Sequence, residues 1–274
     1  MVENIKFVYI FQNDSCYTFQ RKFGLQEEVT YDETATCCGK TICDFKNNYY
    51  VIVLRAEILN IIMEQICNGV SQSQSIKWSR ELNIIHHELG HIHDFTMNRK
   101  IKEAVNELSE HIFIPAGLIL WEEYFATRLS AKSMCKDQKF GFRDVTYYYE
   151  STLTVFDRAI ADYKVHNNMS ILYNAVTPDI MRLMIAYCET FGYLDELVSD
   201  NEMKVKLLYE NVENIYEAKY LDIVWSELRT LHHNYQEWEF PNDLKKLAKA
   251  YYECWSIFGV KVNHESYGLV LNIL

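Results

Sequence analysis

The segment Ile84-Ile85-His86-His87-Glu88-Leu89-Gly90-His91-Ile92-His93-Asp94 gathers imidazoles and carboxylates densely. Within it, His87-Glu88-Leu89-Gly90-His91 has the form H-E-x-x-H. On a helix, His87 and His91 lie one turn apart on one face, so their rings converge on a single metal ion. Glu88 stands next to the first of them and reaches a water at the metal without taking a coordination place. Zinc takes neutral imidazoles at about 2.0–2.1 Å, and this spacing supplies two. At the His and acidic frequencies of this chain, roughly 0.04 such matches are expected by chance. Ile84, Ile85, Leu89, Gly90 and Ile92 are uncharged, so the helix can be buried. The plainer alternative, a buried helix whose histidines only satisfy hydrogen bonds, fits so many histidines poorly. His86 and His93 face away from the pair and are expected to be structural or to support the ligands from behind. Asp94 either orients a ligand imidazole or is a surface charge at the helix end.

A metal helix needs a scaffold, and the composition sets its kind. The 274 residues are 49% hydrophobic and 24% charged, which excludes a disordered chain. A formal charge of −11 repels phosphate backbones, so nucleic acid is not an expected partner. Nine Gly and three Pro favour helices over turn-dense β architecture. Ile5 to Phe11 and Tyr49 to Leu54 read as strands, and Thr41-Ile42-Cys43 as a third entered by a turn. From Ala56 the apolar period becomes helical, and after the polar loop Ser71 to Ser75 a second helix is expected from about Lys77 to Thr96. Pro115 suits the first turn of a helix running to about Met134. Stretches 145–166, 178–196, 202–234 and 241–258 are helical in period, with Gly259 as a C-terminal stop. The fold class expected is α+β and predominantly helical. Residues 1–140 would form a catalytic domain in which a small mixed sheet packs on the active helices, and residues 141–274 an all-α half. The aromatics Tyr147, Tyr148, Tyr149, Tyr251, Tyr252 and Trp255 are expected in its core rather than along a cleft.

No targeting or spanning segment is expected. The apolar run Phe7 to Phe11 is too short for a signal core, and Ile112 to Trp121 carries Pro115 and Gly117 and is about half of a membrane span. Eight cysteines lack the density of a secreted disulfide scaffold. Cys37, Cys38 and Cys43 cluster, but no second Cys/His pair lies at finger spacing, so reduced thiols are expected rather than a metal knuckle. The expectation is a soluble cytoplasmic protein without a membrane partner.

The H-E-x-x-H core resembles that of the zincin metallopeptidases. Metzincins continue it with Gly and His where this chain has Asp94 and Met97, and deformylases need a separate upstream cysteine ligand; neither pattern is matched. The remaining likeness is to the gluzincin branch, whose third ligand is a glutamate on a following helix. Trp121-Glu122-Glu123-Tyr124-Phe125-Ala126 supplies one 32 positions after His91, and Glu123-Tyr124-Phe125-Ala126 looks like the E-x-x-A of that branch. Ala126, Thr127 and Ser130 on the face of Glu123 are small and would let the two helices approach. Glu122 shares its face with Leu118, Phe125 and Leu129, which looks like packing, yet Glu122 stays open as the alternative ligand. Glu107, Glu110 and His111 are read as solvated or structural. Over about residues 40–130 the chain is most similar to the ImmA/IrrE-type metallopeptidases, bacterial and phage-borne enzymes that cut regulatory proteins. The later histidine and the E-A-N/D-x-F-A run common in that family are not matched.

What this resemblance implies is a zinc-dependent peptidase acting on an intracellular protein or peptide. Zn²⁺ would be held by His87, His91 and Glu123, with water in the fourth place and Glu88 as general base. Candidate donors to the tetrahedral oxyanion are His232, His233, Tyr235, Tyr251, Tyr252 and His264. The alternative is a zinc-containing sensing or binding module with little or no hydrolysis, against which an intact Glu88 argues.

Overall fold

The computed structural model describes residues 5–11, 39–44, 49–69, 75–107, 114–134, 142–211, 215–265 and 268–274. The chain forms two compact units: residues 1–99 with 129–138, and residues 100–128 with 139–274. The expected division near residue 140 differs in one segment, because residues 100–128 belong to the compact unit of the helical half.

In the first unit, strands β1 (Ile5–Phe11), β2 (Gly39–Asp44) and β3 (Tyr49–Arg55) form a mixed sheet ordered β1-β3-β2. β3 runs parallel to β1 and antiparallel to β2. Tyr50 to Leu54 are all buried, as expected of a central strand covered on both faces. Its even-numbered side chains, Tyr50, Ile52 and Leu54, cluster with Ile92 and with Ile84, Ile85, Leu89 and Phe95 of α2 (Ser75–Met97). Burying each such large side chain stabilises the fold by about 1.5–3 kcal/mol, so this face fixes α2 on the sheet. In the chain β3 leads into α1 (Ala56–Asn68), which buries Ile58, Ile62 and Gln65 at helical spacing. The expected limits of α2, Lys77 to Thr96, fall within two residues of those observed.

The second unit is helical, as expected. It holds α3 (Arg99–Glu107, from its second residue), α4 (Ile114–Ser130, as far as Arg128), α5 (Phe142–His166), α6 (Met169–Leu197), α7 (Asn201–Asn211), α8 (Ile215–His233) and α9 (Asn242–Cys254). Pro115 is the second residue of α4, where a missing N–H costs nothing. Three readings are corrected. α6 starts at Met169, capped by the Asn168 side chain, and runs through Pro178. The burial of Leu172, Val176, Ile180 and Leu183 on both sides of that proline outweighs the roughly 3 kcal/mol it costs. The stretch 202–234 contains two helices, α7 and α8. The C-terminal half is not purely helical: past Gly259, which ends a short 3₁₀ turn in the left-handed region (φ 78°), β4 (Val260–Glu265) and β5 (Gly268–Ile273) pair as an antiparallel hairpin. Val260 and Leu271 anchor it in the core.

That core is aromatic: Phe156 meets Trp255 and Phe258, and Tyr251 and Tyr252 pack on Trp255. Inside it sits one carboxylate, Asp195 of α6. It accepts hydrogen bonds from Tyr124 Oη (2.8 Å), Trp225 Nε1 (2.9 Å), Arg229 Nη2 (2.6 Å) and Lys204 Nζ (3.1 Å). Burial alone would raise its pKa, but the bonds from Arg229, Trp225 and Tyr124 outweigh that and hold it below the usual carboxylate range. Among the described residues no helix is long and apolar enough to cross a membrane.

Because the folded-state pKa of Asp195 is depressed, its stabilising contribution is complete above the unfolded value of about 3.9 and is lost as pH falls through the folded value. Asp195→Ala should therefore cost about 1–3 kcal/mol at pH 7 by leaving the buried Lys204 ammonium and the Trp225 and Tyr124 donors without their acceptor. In thermal melts against pH, the gap between variant and wild type should close only below about pH 4.

Candidate metal centre

Four polar side chains mark one face of α2 at four-residue steps: Ser79, Asn83, His87 and His91. The first two tie this helix to the end of α4 and the 3₁₀ turn Ala131–Ser133 that follows it. Ser79 Oγ donates to the Ser133 carbonyl at 2.6 Å, and Asn83 Nδ2 to the Ser130 carbonyl at 2.9 Å. His87 and His91 then point their Nε2 atoms at one another, 3.0 Å apart, with the rings nearly perpendicular. Two nitrogens at zinc-bond length from one tetrahedral ion stand about 3.3 Å apart, so the pair fits such an ion with little adjustment. His91 is buried, with its ring stacked on Phe95 at 6.1 Å, and His87 is half-buried.

Glu88 lies on a neighbouring face and is 5% exposed. Thr41 of β2 donates its hydroxyl to Glu88 Oε2 at 2.8 Å and lies 3.0 Å from the Glu88 backbone carbonyl. Gly39 backs onto the same carboxylate: a Cβ at that position would stand 2.7 Å from Glu88 Oε1. Thr41 thus holds one oxygen of Glu88, and Gly39 leaves room for the other. Asp94 is fully buried and accepts the Asn98 side-chain amide at 2.7 Å, which overturns its reading as a surface charge. His86 is exposed and His93 half-buried.

In the second unit, Glu123 is half-buried on α4. Its neighbour Glu122 is paired with the buried ammonium of Lys102, Nζ to Oε1 at 2.6 Å. The apolar-packing reading of Glu122 therefore gives way to an ion pair, and Leu129, expected on that packed face, is half exposed. Among the described residues, His87, His91 and Glu123 form a set of donors that could hold a metal ion.

Of the expected oxyanion donors, Tyr251 and Tyr252 are core residues whose hydroxyls burial pushes well above the ordinary range, so they do not face a cleft. His232 lies edge-on to Tyr124, and Tyr235 stacks on Phe125 at 4.8 Å. Burial, helped by Arg128, lowers the pKa of His232 and keeps it neutral at pH 7. His233 is exposed. Cys37, Cys38, Glu110 and His111 lie outside the described residues, as do the side chains of Cys43, Glu107 and His264. Cys67, Cys188 and Cys254 are free thiols.

Sequence reading missed Gly39, Thr41, Asn83, Lys102 and Asp195. Only Ser79 and Asn83 carried a signal, because they extend the four-residue spacing of the histidines. No family model matches the chain, and no curated protein and no solved structure matches it.

Wild-type protein purified with zinc should carry about one ion per chain, measured by elemental analysis, and His87→Ala or His91→Ala should bring this close to zero. Retention of stoichiometric zinc in both variants would contradict the assignment.

Proposed function

We propose that this chain is a zinc-dependent peptidase that hydrolyses an intracellular protein substrate, with His87, His91 and Glu123 as the metal ligands and Glu88 as the general base. The observation that carries the reading is the pairing of two converging imidazole nitrogens with a buried, firmly held carboxylate on the same helix. A structural zinc site fills its places with protein donors and has no use for such a carboxylate.

The choice of Glu123 rests on charge and on the donor set it forms with the two histidines. Glu122 is neutralised by Lys102, whereas a ligand must offer its charge to the cation.

Zinc, when bound, supplies Lewis acidity that lowers the pKa of a water toward about 7 and polarises the scissile carbonyl. Glu88 accepts a proton from the attacking water as the new C–O bond forms. It returns that proton to the amine nitrogen as the C–N bond breaks. Thr41 keeps the carboxylate in one orientation throughout. β2 borders the sheet among the described residues, and an extended substrate segment would lie along it by strand addition. His232 and Tyr235, beside Tyr124 and Phe125, are the favoured donors to the oxyanion. The likeness to ImmA/IrrE-type enzymes suggests a regulatory protein as substrate.

The test compares cells expressing wild type with cells expressing Glu88→Gln, reading new protein N-termini across the proteome. Wild type should generate a small set of cleavage sites that Glu88→Gln lacks, although the variant keeps its zinc. Identical N-termini in both would contradict the proposal. Once a substrate is known, Gly39→Ala should lower kcat by about 10²-fold or more with zinc content unchanged, because the added methyl displaces Glu88.

A further inference from the structure

The helix bearing Glu123 is held by a stripe on α6: Cys188, Gly192 and Asp195 occupy one face at four- and three-residue steps. Cys188 is fully buried, and the other two meet α4. Gly192 lets the two backbones touch: a Cβ there would stand 2.8 Å from the Tyr124 carbonyl and 2.9 Å from the Arg128 amide. Asp195 grips the Tyr124 hydroxyl at 2.8 Å, and the same hydroxyl accepts a bond from Arg128 Nη1 at 2.8 Å. Tyr124 is fully buried and directly follows Glu123 in the chain.

A helix packed only by apolar contacts can roll by several degrees with little change in energy, and a carboxylate at its surface moves with it. Here a directional bond to a fixed point resists that roll. Trp225, Lys204 and Arg229 hold Asp195 itself from other helices, so the anchor does not yield. A metal site needs such support, since ligands left loosely held lose affinity.

We propose that Asp195 and Tyr124 are positioning residues for Glu123, setting the roll of α4 so that its carboxylate is presented to the metal. The inference rests on the reading of Glu123 as a ligand, and the test keeps the two separable. Zinc affinity is measured on the full chain by competition with a chromophoric chelator, alongside the melting temperature of the metal-free protein and the visible absorption of the Co²⁺ form. Tyr124→Phe deletes only the hydroxyl. Phe156→Leu instead loosens the aromatic core at Trp255 and Phe258 and removes no bond to Asp195 or Tyr124.

Tyr124→Phe should lose about tenfold in zinc affinity and alter the cobalt band, while Phe156→Leu stays within about twofold of wild type, even if both melt lower. Equal losses in the two variants, or no loss in Tyr124→Phe, would overturn the positioning role. If Tyr124→Phe does not fold, Asp195→Asn, which takes the charged acceptor away from the same hydroxyl, takes its place with the same expectations. Unchanged zinc affinity in Glu123→Ala, or no zinc binding by wild type, would remove the ligand reading and this inference with it.

Discussion

Two imidazole nitrogens held 3.0 Å apart on a half-buried helix face are the constraint around which the rest is arranged. At that separation two N–H groups cannot point at one another, so the arrangement is satisfied either by one ring donating to the other or by a cation shared between both lone pairs. With Glu123 the pair forms a donor set that could hold such a cation. The ring of His91 is clamped by Phe95, the helix is fixed to β3 by Ile84, Ile85, Leu89 and Ile92, and a carboxylate stands on the adjoining face.

Glu88 shows how the sheet holds a buried polar group as well as a helix. A buried carboxylate without donors bears the full cost of leaving water. Thr41 supplies a donor, and Gly39 leaves room for the second oxygen to approach the strand. The cost is a strand position where a side chain would displace that carboxylate. In the helical unit Asp195 plays the matching part, since a single carboxylate joins α4, α6, α7 and α8 through four side chains. Both devices are buried polar groups whose partners come from distant parts of the chain, and such groups specify one arrangement more sharply than apolar packing does.

How much of this could be read beforehand follows from the range of each interaction. H-E-x-x-H is local, so the helical face shared by His87 and His91 was legible from spacing alone, and α2 was placed to within two residues. The strands β1 to β3 were legible from composition. The contacts that hold Glu88 and Tyr124 were not, because Thr41 precedes Glu88 by 47 residues and Asp195 follows Tyr124 by 71. No periodicity reports a pairing of that range. Pro178 misled because local propensity was weighed without the tertiary burial on either side of it. The C-terminal hairpin was missed because Gly259 read equally well as a helix stop, which it is, and the alternation after it is short.

The most direct measurement is X-ray absorption at the zinc edge on the purified, zinc-loaded chain. The account predicts a first shell of only nitrogen and oxygen at about 2.0–2.1 Å, with two imidazoles contributing and one solvent oxygen among the donors. A shell containing sulfur at about 2.3 Å, four protein donors with no solvent, or a chain that takes up no zinc would contradict it.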